Sequence, residues 1–300
     1  MDVKTILFPT DFSECSEQAL DHALFLAESL GAELHMLHAV LLHQEDPANP
    51  EQSFTSDIGL LDRLSKIAQT RMAEMAQRTT QVKVRQVERR GFSAPVVILE
   101  YASEVHADLI VMGTHGHHAA ARFFLGSVAE QVVRHAECPV LTLRKGKTGR
   151  PLEAIESILV PVDFSEHSRR AVETAVELAD RWQSRIELLH VLEIPPLPAF
   201  YGPIPDIASA QRLLELSDDE LRELGNELIP DALEWTVTTH EGSAASEIVR
   251  HARDAGSDLI VIPSHGRSGL DRLLMGSTTQ RVLRMAECPV LTLKPMADEG

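Results

Sequence analysis

Apolar positions along this chain fall into two alternating rhythms. Short runs rich in β-branched residues, "TILF", "ELHMLHAV", "DLIVM" and "PVLTL", alternate with stretches in which apolar side chains recur every three or four residues. In the first such stretch Ala19, Leu20, Ala23, Leu26, Ala27 and Leu30 share one face, with Ser13 ahead of it and Gly31 behind. A hydroxyl can take up a free N–H at a helix start and glycine readily ends a helix, so the spacing predicts a helix between them. Further helices are expected at residues 60–78 and 95–106 and after Ser127, with a strand in "VKVRQVE". Strands alternating with helices build parallel βαβ units, hence a doubly wound α/β sheet.

The whole pattern then recurs. "ILFPTDFSECS" from Ile6 returns as "ILVPVDFSEHS" from Ile158, with eight of eleven residues identical, and "RHAECPVLTL" from Arg134 returns as "RMAECPVLTL" from Arg284. In the second half strands are expected in "SILVPV", "RIELLHVL", "EWTVTTH", "DLIVI" and "PVLTL", with helices from Ser165, at residues 207–228 and 245–255, and after the loop. A period this long marks a duplicated domain rather than a solenoid repeat, and each half can bury its own core. The two domains are expected at residues 1–146 and 152–296, joined by the basic, glycine-containing stretch "RKGKTGRPLEA".

The chemistry is concentrated in one loop of each half. "MGTHGHHAAARFFLGS" places Gly113, Gly116, Gly126 and Ser127 on a G-x2-G-x9-G-S spacing after an apolar strand. The second half keeps Gly266, Gly276 and Ser277, with Pro263 in place of the first glycine. A glycine-rich turn running into a helix offers bare N–H groups and the positive end of a helix dipole, which suits an anion such as a nucleotide phosphate. The same glycines could be turn residues, and Ser127 only a helix cap. Pro263 lacks an N–H and adds a ring where a ligand would approach, so the first half is the expected site.

Charge narrows the choice of partner. With 28 Lys and Arg against 45 Asp and Glu, a formal net charge of −17, the chain is poorly suited to nucleic acid or anionic membranes. No apolar run approaches a membrane helix, the N-terminus lacks a signal-peptide layout, and three cysteines without a C-x2-C pair fit a reducing, cytoplasmic compartment. Cys138 and Cys288 are expected to be small buried residues, and no acid or base partner marks Cys15 as reactive. His35, His38, His43, His115, His117 and His118 raise the idea of a metal site. The stronger reading is structural, since His38 and His115 recur as His190 and His265, and adjacent His117 and His118 are poorly spaced to share an ion.

Taken together, the paired "DFS" motifs, the "LH" strand endings, the glycine loops and the closing "ECPVLTL" resemble the universal stress protein family in its tandem form, over nearly the whole chain. The resemblance implies two similar Rossmann-like domains of the adenine nucleotide alpha-hydrolase-like kind, each with a five-stranded parallel sheet. It also implies ATP, with or without Mg2+, as the ligand. By the same resemblance Asp11, with Thr10 beside it, contacts the adenosine part, and the Ala39 backbone reads the adenine edge. Gly113 and Gly116 shape the loop near ribose and phosphates, and Gly126 and Ser127 offer N–H groups and a hydroxyl to the phosphates. Asp163, Val191, Gly266, Gly276 and Ser277 are the matching positions in the second half. Asp11 could instead merely cap the first helix.

An efficient ATPase would need a lysine on the phosphates and an acid for Mg2+, and the first loop contains neither. The expected function is therefore an ATP-binding stress-response regulator, not an enzyme. The alternatives are a nucleotide-independent interaction scaffold and a slow ATPase. The connectors after the second strands, "LLHQEDPANPEQSFTSDIG" and "EIPPLPAFYGPIPDIAS", either cover a site or meet a partner, or are inert crossovers.

The resemblance also implies an intramolecular domain pair joined through the last strands, with a homodimer as a further possibility. A short apolar β-branched edge left alone invites association. Halves expressed separately, cut near Lys147, should therefore dimerise or aggregate and should form a heterodimer when mixed. Two monodisperse monomers in sedimentation would exclude this pairing.

Overall fold

The computed structural model describes residues 1–41, 58–114, 125–144, 154–193, 207–266 and 275–294. The chain divides into two compact units, Asp2–Glu153 and Ala154–Gly300. The first carries β1 (Thr5–Pro9), α1 (Glu14–Leu30), β2 (Glu33–Leu41), α2 (Ile58–Ala76), β3 (Val84–Gly91), α3 (Ala94–Glu104), β4 (Leu109–Gly113), α4 (Ser127–His135) and β5 (Val140–Leu143). The second repeats that order: β6 (Ser157–Pro161), α5 (Glu166–Trp182), β7 (Arg185–Leu192), α6 (Ile207–Leu228), β8 (Trp235–Glu241), α7 (Ala244–Ala255), β9 (Leu259–Pro263), α8 (Ser277–Met285) and β10 (Val290–Leu293).

Within the first unit the strands lie in the order β3-β2-β1-β4-β5, and within the second β8-β7-β6-β9-β10, with parallel pairing throughout. The expected doubly wound five-stranded sheets are thus present in both halves. Sequence composition follows position in the sheet. β1 and β4 are continuously apolar and almost wholly buried, as strands covered on both faces must be, with Ile6, Leu7, Phe8 and Ile110 fully inaccessible. β3 flanks only one strand in its unit and reads "VRQVERRG", a charged strand with four exposed residues. Charge on an edge discourages pairing with foreign strands. That polarity also explains why the expected strand began and ended two or three residues too early.

The helix signals behave as chemistry predicts. Ser13 Oγ accepts the Ser16 N–H, Ala19, Leu20, Ala23, Leu26 and Ala27 are buried, and Gly31 ends α1 at φ 70°, a left-handed conformation that glycine adopts without a Cβ clash. One recurrent device had not been read from the sequence. Asp108 Oδ2 accepts the N–H groups of Lys4 and Thr5 at 2.8 and 2.9 Å, and Asp258 does the same for Glu156 and Ser157. These aspartates open the "DLIV" strands and tie their starts to the starts of β1 and β6. No helix among the described residues is long and apolar enough to cross a membrane.

Three imidazoles sit where burial disfavours their charge. His22, His35 and His240 are all held below the ordinary histidine value, with desolvation the leading cause in each. Because the folded chain resists protonating them, their stabilising contribution is complete above the unfolded value of ~6.5 and is lost as pH falls below it. The carboxylates with depressed values, among them Glu33 and Glu187, respond only at lower pH. Thermal denaturation should show a fall in Tm between about pH 7 and 5, and a His22→Gln, His35→Gln, His240→Gln variant should flatten that part of the profile. An unchanged slope would remove these histidines as its cause.

Candidate functional site

In each unit the candidate residues come from strand ends on the carboxyl edge of the sheet, where doubly wound folds place their ligands. β1 stops at Pro9, yet Thr10 stays attached to the sheet through its N–H to Leu37 O, 2.8 Å. Its buried hydroxyl oxygen accepts the Phe12 N–H at 3.1 Å and the Ser16 hydroxyl at 2.8 Å. Asp11 is exposed, and its Oδ1 accepts the Ser13 N–H at 3.0 Å. The cap of α1 is Ser13, so Asp11 is not the helix cap considered from the sequence. Ala39 is half-buried near the end of β2, in register with Arg89 of β3.

Gly113 closes β4 for a steric reason. A Cβ there would lie 2.9 Å from Cys15 Sγ and 3.1 Å from the Cys15 carbonyl carbon and oxygen, so glycine lets the first turn of α1 press against the strand end. Cys15 is buried in this contact, and its thiol donates to Leu143 O at 3.5 Å. That packing argues against a reactive thiol. Cys138 and Cys288, expected to be buried, are half-buried, and burial of the Cys288 thiol pushes it up to about 12.

At the start of α4 one sequence expectation needs correction. The Gly126 N–H is already donated to Thr114 O at 2.8 Å and is therefore not available to a phosphate. The first helical bond runs from Glu130 N–H to Gly126 O, and Gly126 provides no side-chain cap. The N–H groups of Ser127, Val128 and Ala129 thus have no helical acceptor, the ordinary condition of a first turn. The Ser127 side chain beside them is exposed.

The second unit reproduces this arrangement. Gly276 N–H donates to Ser264 O at 2.8 Å, Gln280 N–H reaches Gly276 O, and Ser277 opens α8 exposed. Asp163 is half-buried, and its Oδ1 accepts the Ser165 N–H and hydroxyl at 3.1 and 2.5 Å. Gly266 lies against the same carboxylate, since a Cβ there would stand 2.6 Å from Asp163 Oδ2. Val191, half-buried in β7, pairs in register with His240. Pro263 is buried as the last residue of β9, in register with Leu293, and its carbonyl accepts the Thr279 hydroxyl at 2.8 Å. Its side chain is buried.

Among the described residues nothing gives Gly276 a conformational or a steric reason. Its φ of −57° suits any residue, and a Cβ would meet Ser264 O, Thr279 Oγ1 and His265 Cα at 3.4, 3.7 and 3.8 Å, ordinary contacts. Gly126 has the same backbone, φ −59° and ψ 142°. Gly116, His43, His115, His117 and His118, and most of the long connectors, lie outside the described residues. Among the described residues no group of three or more His, Cys, Asp or Glu side chains is placed to hold a metal ion.

A duplicated, doubly wound unit with a five-stranded parallel sheet in each copy defines a tandem α/β protein of the Rossmann-like kind. The universal stress protein family profile matches residues 2–144 and again residues 154–294, and the chain belongs to that family as a tandem member. It is 34% identical over 143 residues to universal stress protein MJ0531 of Methanocaldococcus jannaschii, an alignment covering 46% of this chain and 82% of that protein. Universal stress protein Rv2005c of Mycobacterium tuberculosis is 31% identical over 207 residues, 68% of this chain and 67% of its own. The crystal structure of a universal stress protein from Archaeoglobus fulgidus shares the fold at a TM-score of 0.69 and 21% identity, covering 98% of this chain and 97% of that one.

The two kinds of glycine should separate experimentally. Gly113→Ala forces a Cβ into the Cys15 backbone and should cost about 1–3 kcal/mol, as overpacking does. Gly276→Ala should leave Tm within error of the parent. Equal destabilisation by both in thermal denaturation would mean that Gly276, too, is held by internal packing.

Proposed function

We propose that this universal stress protein binds an adenine nucleotide, ATP, without turning it over efficiently, and acts as a stress-response regulator through its loaded and empty forms. The observation that carries this reading is the helix start behind each loop. Three N–H groups at the first turn lack helical acceptors, and the glycine before them adds no side chain there, although no described residue demands a glycine at Gly276. A phosphate supplies acceptors for such N–H groups and favours the positive end of the dipole. Asp11 and Asp163, at the ends of β1 and β6, are suited to accept hydrogen bonds from a ribose or base, and Ala39 and Val191 offer strand-end backbone to an adenine edge.

Binding without efficient catalysis follows from the donor set. The loop from Gly113 to Ser127 holds no lysine to neutralise the γ-phosphate and no carboxylate to fix Mg2+. The first domain, with all three glycines, is the principal site in this reading. The two domains act as an intramolecular pair.

Isothermal titration with ATP tests the reading directly. Gly126→Val keeps a permitted backbone but places branched carbons beside the anion-facing N–H groups, and should weaken binding by on the order of a few kcal/mol if those hydrogen bonds are lost. Unchanged affinity with an intact fold would exclude the site, and absence of any ATP binding by the parent protein would favour the interaction scaffold. Phosphate release with Mg2+ and ATP should fall orders of magnitude below the ~10 per second of a median enzyme. Turnover near that rate, abolished by Asp11→Ala, would make the protein an enzyme.

A further inference from the structure

The two halves share a strained aromatic turn that the nucleotide reading leaves unexplained. Phe12 and Phe164 follow the candidate aspartates directly, and both adopt left-handed backbone, φ 62° and 60°. A bulky residue in that region is a steric outlier that persists only where its surroundings hold it. Glycine or asparagine would adopt the turn more easily, yet both halves carry phenylalanine.

What holds each ring is a histidine from the neighbouring strand. The Phe12 ring lies 4.4 Å from the His38 imidazole, centroid to centroid, and Phe164 lies 4.7 Å from His190, with interplanar angles of 32° and 40°. Nδ1 of His38 is 2.9 Å from Thr10 O, and Nδ1 of His190 is 2.8 Å from Val162 O. A carbonyl can only accept, so Nδ1 carries the hydrogen in both cases. Each imidazole therefore grips the residue before the aspartate through a hydrogen bond and the residue after it through ring contact. In the first half Arg71 of α2 adds a cation over the Phe12 ring at 5.6 Å, and Thr10 Oγ1 takes the Phe12 N–H at 3.1 Å.

We infer that His38 and His190 are positioning residues, which clamp the Asp-Phe turn and thereby fix the direction of the Asp11 and Asp163 carboxylates toward the ligand; this rests on the nucleotide-binding reading. The aspartate is pinned on both sides by one side chain, while its own Oδ1 is held by Ser13 or Ser165. In the second half Asp163 Oδ2 stands so close to Gly266 that a Cβ there would lie 2.6 Å from it. His38 and Ala39 are consecutive, so their side chains face opposite sides of the sheet. A single strand end thus supplies the clamp on one face and the candidate adenine contact beside it.

Full-length His38→Ala, Phe12→Gly and the double variant decide the matter by titration with ATP and by backbone NMR of residues 10–13. His38→Ala should weaken binding at the first site at least tenfold and move the Phe12 backbone out of the left-handed region. Adding Phe12→Gly should restore most of the affinity, because glycine holds that backbone unaided, whereas a packing role for His38 would not be rescued by removing a further ring. Parent-like affinity in His38→Ala, or no recovery in the double variant, overturns the clamp. If the parent protein does not bind ATP at all, the nucleotide reading fails and the NMR arm still judges the turn: an unchanged Phe12 backbone in His38→Ala rejects the clamp whatever the ligand.

Discussion

Burial of β1 and β4 on both faces is the constraint from which the rest of each domain follows. Strands made of Ile6, Leu7 and Phe8 or of Ile110 and Val111 expose an apolar side chain on either face, and water must be excluded from both. Helices crossing back over the two faces meet that demand, and every such crossover returns the chain to the same end of the sheet, which makes the strands parallel. All carboxyl ends then lie along one edge. Asp11, Ala39 and Gly113, far apart in sequence, reach that edge because three strands stop there, and α4 begins just beyond it.

Duplication allows the scaffold to be separated from what is mounted on it. The halves agree where the backbone needs a particular group: the Ser13 and Ser165 caps, the strand-opening Asp108 and Asp258, the glycine N–H bonds at Gly126 and Gly276. They diverge on the α3 and α7 sides of the sheets. In the first half His35 Nδ1 meets the Tyr101 hydroxyl at 3.0 Å and Arg89 lies over that ring. In the second, the corresponding places hold a chain in which His251 bridges His240, at 3.0 Å, and Glu187, at 2.7 Å. Both solutions pair polar groups, buried in His35 and Tyr101 and half-buried in His240, His251 and Glu187, but with different chemistry. The two halves are thus one backbone design carrying different polar groups at matched positions of the sheet.

How much of this was legible from residues alone depended on the range of the interaction involved. Helix caps, the left-handed stop at Gly31, strand alternation and the duplication are local or repetitive, and they could be read from periodicity and composition. Charge in β3 blurred its ends because an edge strand lacks the apolar run that marks a central one. The glycine spacing marked Gly113 and Gly126, yet spacing says nothing about where an N–H is already spent. That Gly126 donates to Thr114, that Gly113 makes room for Cys15, and that Pro263 is packed away are facts of hydrogen-bond and steric geometry between segments distant in the chain. The "DFS" motif was visible twice, but the left-handed phenylalanine and its imidazole partner twenty-six residues onward were not. Patterning encodes which faces are apolar and where elements start and stop, since those rest on neighbours within a turn or a strand; the accounting of individual donors, acceptors and van der Waals gaps needed the assembled sheet, because only there do residues from different strands compete for the same space.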